Sequence, residues 1–321
     1  MSTTATTSLR AVPTRWHRPL LWLSLVMAAS TLTTMAGLIF DPRLLAGAPL
    51  WAKPFKFSIS ILIYALTLSW LLGQLPRWRR LAWWAGTAAA VFLALEMVII
   101  GGAAVAGSTS HFNVSTPLAA GLWAVMAASI VVVWLAGLLV ALLLFRAPPG
   151  DPARSLAIRA GFVIALIGMA LAFLMTSPTA AQLNNFQGIA GAHTVGLPDG
   201  GPGLPLLGWS TVAGDLRVPH FVGMHALQLI PLAAVLLELG ARRIPLLQAA
   251  ATRVGLLWIL VASYLGALSL LTVQALAGQS IVRTDAVFTS WGVALLSGAG
   301  LAVLVVLNRG QRAVAAQRPA A

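Results

Sequence analysis

Arg77-Trp-Arg-Arg80, followed at once by LAWWAGTAAAVFLALEMVIIGGAAVAG (residues 81–107), decides the fold. A basic cluster abuts a long apolar run whose one ionisable side chain is Glu96. A helix crosses the bilayer core with ~20 apolar residues, rising ~1.5 Å per residue. A barrel strand needs only ~9–11 residues and alternates apolar with polar. This run is too long and too uniformly apolar for a strand. It predicts a transmembrane helix with its basic end held at one membrane face.

The same unit recurs in both directions along the chain. Apolar spans are expected at 19–40, 55–75, 81–107, 118–145, 156–176, 218–239, 251–276 and 286–308. Arginine triplets fill every second gap: Arg10, Arg15 and Arg18; Arg77, Arg79 and Arg80; Arg146, Arg154 and Arg159; Arg242, Arg243 and Arg253; Arg309, Arg312 and Arg318. The other gaps hold only Arg43, Lys53, Lys56, Arg217 and Arg283. Such asymmetry is the positive-inside pattern. It predicts an all-α bundle of eight transmembrane helices with both termini cytoplasmic. A basic arm (1–18) and a basic tail (309–321) flank the membrane domain (19–308), whose outer loops 41–54 and 177–217 are long.

Composition agrees. The chain is 59% hydrophobic and 8% charged, with mean hydropathy +0.91, whereas a soluble domain carries about 25% charged residues. The net charge of +13 does not point to nucleic acid. Its basic residues sit in short loops beside apolar spans, where they orient helices and meet anionic lipid. Cysteine is absent, which removes thiolate chemistry, iron–sulfur clusters and covalent c-type haem. The Gly200-Gly201-Pro202-Gly203 stretch lacks the lysine and the strand-to-helix setting of a phosphate loop. Loop 177–217 therefore reads as a cover over the outer face.

Two internal echoes suggest a 4+4 repeat. Lys53-Pro54-Phe55 and Val218-Pro219-His220 both open even-numbered spans. Val105-Ala106-Gly107-Ser108 and Leu276-Ala277-Gly278-Gln279 close the third and seventh. Two four-span halves would run parallel.

The chemistry is confined to few residues. Glu96 lies roughly 16 Å below the outer end of its span, near the bilayer midplane. A carboxylate there costs several kcal/mol unless it is paired or faces a polar cavity. His111, His193, His220 and His225 all fall on the outer side, and His225 and Gln228 share a helix face, forming a polar track with Glu96. His17 reads as incidental, and Glu238 as a partner of Arg242 and Arg243. His111 with His220 or His225 has the chemistry to ligate a b-type haem or a transition metal. Five residues apart, His220 and His225 diverge around a regular helix, so a shared ion needs a ligand from another helix. Lys53, Lys56 and Arg217 are expected to form an outer cationic patch for an anionic group, with Asp215 close enough to satisfy Arg217.

WAKPFKF (51–57), SHFN (110–113) and GDLRVPHFVGMHALQ (214–228) are similar to stretches in uncharacterised polytopic membrane proteins of high-GC bacteria. The resemblance implies a bacterial inner-membrane location and carries no activity. Three functions stay open: a redox-linked protein with an outward-facing Glu/His site holding haem or metal; a proton-coupled transporter or channel titrating at Glu96; and a non-catalytic scaffold or assembly factor. No acid, base and nucleophile stand at an enzyme's recognisable spacing.

Overall fold

The structure, a computed structural model, describes residues 16–45, 47–147 and 150–316. Arg10, Arg15 and Arg318 lie outside the described residues, as do most of the expected basic arm and the end of the tail. Eight helices are long and apolar enough to cross a membrane. They are α1 (Arg18–Phe40), α2 (Ala52–Gly73), α3 (Arg79–Val105), α4 (Pro117–Arg146), α5 (Pro152–Ala170), α7 (Arg217–Gly240), α9 (Ala250–Leu276) and α10 (Ala286–Ala316). A 3₁₀ turn (Leu171–Met175) and the short α6 (Ala180–Asn184) extend α5, and α8 (Pro245–Gln248) precedes α9. The arginine clusters and the outer histidines consequently occupy opposite ends of the bundle. These ends are called below the arginine face and the histidine face.

Local sequence sets the helix ends. Thr116 and Asp151 cap α4 and α5 by accepting from Ala119 N and Arg154 N, and each helix has proline in its first turn, where a missing N–H costs nothing. His17 is the cap of α1: its ring accepts from Leu20 N, and its other nitrogen meets the Trp83 carbonyl at 3.0 Å. Its backbone N–H donates to Ser69 Oγ at 2.8 Å. Far from incidental, His17 is buried and ties α1 to α2 and α3.

The two halves pack in the same order. In the first, α1 lies on α2 and α3, and α4 on α3; in the second, α5 lies on α7 and α9, and α10 on α9. The halves meet through α4 against α5 and α2 against α7. The two echoing helix ends also cap alike. In α3, Gly107 N donates to Ala104 O at 3.0 Å and Ser108 N to Ala103 O at 2.9 Å; in α9, Gly278 N donates to Ala275 O and Gln279 N to Gln274 O, both at 3.0 Å. Both glycines have positive φ, +65° and +75°, the left-handed conformation that closes a helix this way.

Close approach holds α5 to α7. A Cβ on Gly168 would overlap the backbone of Gly223, and one on Gly161 would sit 3.0 Å from Ala226 O and 3.2 Å from Pro231 Cδ. Lipid tails are as apolar as leucine, so association in a membrane rests on such packing. Pro231 lies inside α7 and removes a backbone donor; membrane helices tolerate this where neighbours pack closely.

On the arginine face the side chains join helices. Arg154 pairs with Glu238 of α7, and Arg253 reaches Asp151 at 2.9 Å. The expected pairing of Glu238 with Arg242 and Arg243 is replaced by this interhelical one. Both carboxylate oxygens accept from the Arg154 guanidinium, a bidentate arrangement that a same-helix neighbour rarely reaches.

Candidate functional site

Residues 177–216 are a folded cap rather than a loose loop. Strands β3 (Thr194–Val195) and β4 (Gly214–Asp215) pair antiparallel, and Ile189 bridges Asn113 of the α3–α4 connection. Asp199 organises the turn after β3, accepting from His193 N, Thr194 N and Thr194 Oγ1 at 2.7–3.1 Å. The cap also engages the other connections on the histidine face. Lys56 Nζ donates to Leu207 O at 2.7 Å, and Ser280 Oγ to Ser210 O at 3.0 Å. A Cβ on Gly47 would lie 3.0 Å from Gly200 O. Strands β1 (Leu44–Leu45) and β2 (Ala48–Pro49) form a small hairpin there.

The expected cationic patch is divided by these contacts. Arg217 donates to both oxygens of Asp215 and to Gly208 O. Asp215 is buried and also accepts from Ser210 N at 2.7 Å. Arg217 and Lys56 are thus spent on holding the cap. Lys53 alone of the three has no hydrogen bond or ion pair among the described residues, and its Nζ is not sealed off from solvent.

Beneath the cap the structure brings three histidines together. His111, His193 and His220 lie within electrostatic reach of one another and, for His111 and His193, of Lys53. His193 Nδ1 donates to Asp199 Oδ2 at 2.6 Å, and His220 Nδ1 to Gly168 O at 2.8 Å. His111 Nδ1 lies 3.1 Å from Ser110 Oγ. Each ring is only partly exposed, yet no second ring nitrogen is both buried and orphaned.

Aromatic rings pack around two of these histidines. The His111 ring lies 5.4 Å from Trp123 and 5.6 Å from Phe57, and Phe112 lies 5.0 Å from His193. Phe112 is buried with φ +61°, a conformation uncommon for a bulky residue and sustained only by its surroundings. Its bridge-forming neighbour Asn113 and its packing between the two imidazoles supply that constraint. Burial pushes the His111 imidazole well below its ordinary range, helped by Lys53 and the two other histidines. Burial also lowers His193, against the opposing pull of the Asp199 hydrogen bond.

Glu96 lies deeper, on α3. It is 1% exposed, and neither carboxyl oxygen has a partner. Lys53 is within electrostatic reach without forming an ion pair. Tyr64 OH on α2 and Gln228 Oε1 on α7 are likewise buried and unpaired. A buried unpaired polar atom costs about 1–3 kcal/mol, so each of these side chains calls for a reason other than stability.

The sequence-selected residues separate accordingly. Lys53, His111 and His220 lie within electrostatic reach of His193, which sequence reading placed on this face without assigning it to the site, while Glu96 is within reach of Lys53 alone. His225 lies near His220, and Gln228 further along α7. The metal set His111, His220 and His225 does not assemble: among the described residues no group of three His, Asp or Glu is placed to hold an ion. His220 and His225 diverge on α7, and aromatic rings enclose His111. A separate open apolar groove lies between α9 and α10, lined by Gly266, Ser269, Leu270, Val273, Trp291 and Leu295.

The sequence matches no family model, and no curated protein or solved structure is similar to it.

Proposed function

We propose that the protein is a proton-coupled transporter of a bacterial cytoplasmic membrane, with its arginine face inside and Glu96 as the group that takes up and releases the proton. One observation carries this reading: the Glu96 carboxyl is buried inside the bundle and unpaired at both oxygens, in a chain whose two halves pack in the same order. Intramembrane acids facing the inside of a bundle mark ion and substrate pathways. Sites at the interface of repeats suit alternating access. Lys53 completes the device. Ionised, Glu96 gains from approaching this ammonium; protonated, it releases it.

Proteoliposomes test the proposal. With a pH gradient imposed, uptake across a panel of small anionic, cationic and neutral solutes should be gradient-driven for at least one class. Glu96→Gln should abolish the gradient dependence while solute exchange persists. Gradient-driven uptake unchanged in that variant, or absent for the whole panel, defeats the reading. A scaffold or assembly factor is then what remains, and alanine at Glu96 or His225 would alter stability alone.

A second reading, b-type haem in a redox-linked role, is favoured by a different observation. His220 and His193 are anchored through Nδ1, leaving Nε2 without a protein partner, as axial ligands require. Bound haem would gain iron ligation there, and Lys53 would face a propionate. Purified protein without a Soret band excludes it.

A further inference from the structure

At the arginine face the acids are already taken: Glu238 is held by Arg154 and Asp151 by Arg253. Arg159 of α5 has no acidic partner among the described residues. Its Nη2 donates to Phe145 O on α4 at 2.8 Å, and its Nε–H is enclosed without a partner. The guanidinium lies 5.2 Å from the centre of the Phe145 ring. A guanidinium carries five N–H donors and no acceptor, so most of these donors are unspent. Phe145 is exposed and stands one residue from the end of α4, which keeps the charge at the membrane boundary.

An apolar strip runs from Arg159 toward the bilayer centre. Between Arg159 and Ala170 only Val163 and Ile167 are exposed, and their four-residue spacing puts them on the face of Arg159. Two bonds, Arg159 to Phe145 O and Trp134 to Leu166 O, set an antiparallel register of α5 against α4. With the same rise per residue in both helices, exposed Leu142 falls level with Val163 and exposed Leu135 level with Ile167.

We propose that the seam of α4 and α5 binds one phospholipid whose headgroup carries net negative charge: the phosphate on the Arg159 guanidinium, an acyl chain along Leu142, Val163, Leu135 and Ile167. The guanidinium fork matches phosphate oxygens. Arg146, exposed at the last position of α4, adds a second cation at that helix end. The ammonium of a zwitterionic headgroup would meet no free carboxylate, because Asp151 and Glu238 are paired. A free phosphate ion would leave the apolar strip unused. Since α4 closes the first half and α5 opens the second, the lipid bridges the halves. The site is independent of Glu96 and survives failure of the transport reading.

Native mass spectrometry tests it on the full-length protein, titrated in detergent micelles with dioleoyl phosphatidylglycerol or dioleoyl phosphatidylcholine. The anionic lipid should bind at least about tenfold more tightly. Arg159→Gln should remove that preference, whereas Arg80→Gln, at an exposed arginine of the same face, should keep it. If Arg159→Gln does not fold, Val163→Trp decides: it fills the strip at a lipid-facing position, and binding of the anionic lipid should be lost. Equal binding of the two lipids, a preference that survives Arg159→Gln, or anionic-lipid binding unaltered in Val163→Trp overturns the proposal. A preference lost equally in Arg80→Gln overturns it in favour of diffuse surface charge. Displacement of the anionic lipid by millimolar inorganic phosphate overturns it in favour of a soluble-anion site.

Discussion

Gly168 on α5 and Gly223 on α7 stand backbone to backbone, with no room for a methyl group on either. Backbone cannot swing aside as a flexible side chain can, so Gly168→Ala must push the helices apart. The expected loss is about 1–3 kcal/mol, the usual cost of overpacking, read as a lowered unfolding midpoint in detergent. Gly298→Ala on α10 is the control. Its added Cβ meets nothing within 4 Å, and its midpoint should not fall.

Asp151 does two things at the arginine face: it caps α5 and pairs with Arg253. Asp151→Asn keeps a capping oxygen and loses the charge; Asp151→Ala loses both. Alanine should cost about 1–2 kcal/mol and asparagine less than about 1 kcal/mol. The asparagine deficit should shrink in high salt as the lost attraction is screened. Chemical denaturation at two ionic strengths checks this.

Acid should destabilise the protein in two separate windows. Burial lowers His111, His193 and His17 in the folded chain, so the unfolded chain takes up protons first, below pH about 6.5. Stability therefore falls as pH drops through that value. Asp199 behaves differently. Burial tends to raise it, but hydrogen bonds from His193 and Thr194 win and hold it below the ordinary carboxylate range. Its contribution is present above pH about 3.9 and is lost below. Thermal midpoints from pH 8 to 3 should show both declines. His193→Gln should flatten the upper one, and Asp199→Asn the lower. A flat profile between pH 7 and 5 would contradict the assignment.

Trp134 Nε1 on α4 donates to Leu166 O on α5 at 3.1 Å, a polar tie between the halves. Trp134→Phe retains most of the packing and should cost about 0.6–1.5 kcal/mol. Phenylalanine at the exposed Trp258 should cost less. Unfolding midpoints of the two variants decide it.

The spans were legible because ~20 apolar residues between arginines have one stable form in a bilayer. The pairing of Asp215 with Arg217 was legible because a single residue stands between them, well within a side chain's reach. Glu96 was legible as an acid with no local partner. What sequence does not carry is which helix faces which. Glu238 had arginines one turn away and took Arg154 from another helix instead. His17 looked like an incidental part of a basic arm, because its capping of α1 depends on a ring nitrogen meeting Leu20 N, which residue type alone does not announce. His193 stood far from the other site histidines in sequence, in a loop without a recognisable motif. Only the pairing of β3 with β4 returns it to them. The expected patch of Lys53, Lys56 and Arg217 came apart because carbonyls of the cap, invisible as ligands in a sequence, claimed two of its members.

The cap has a consequence for how the chain is made. Residues 177–216 leave the ribosome after α5, but two of their seats do not yet exist. Gly214 lies against Ala275 at the end of α9, and Ser210 accepts from Ser280 beyond it. A chain ending near Gly240 already has the cap's contacts to the first half, through Asn113, Lys56 and Gly47, and lacks those to α9 and Ser280. The cap therefore joins the two halves: its full set of contacts requires α9 to be in place.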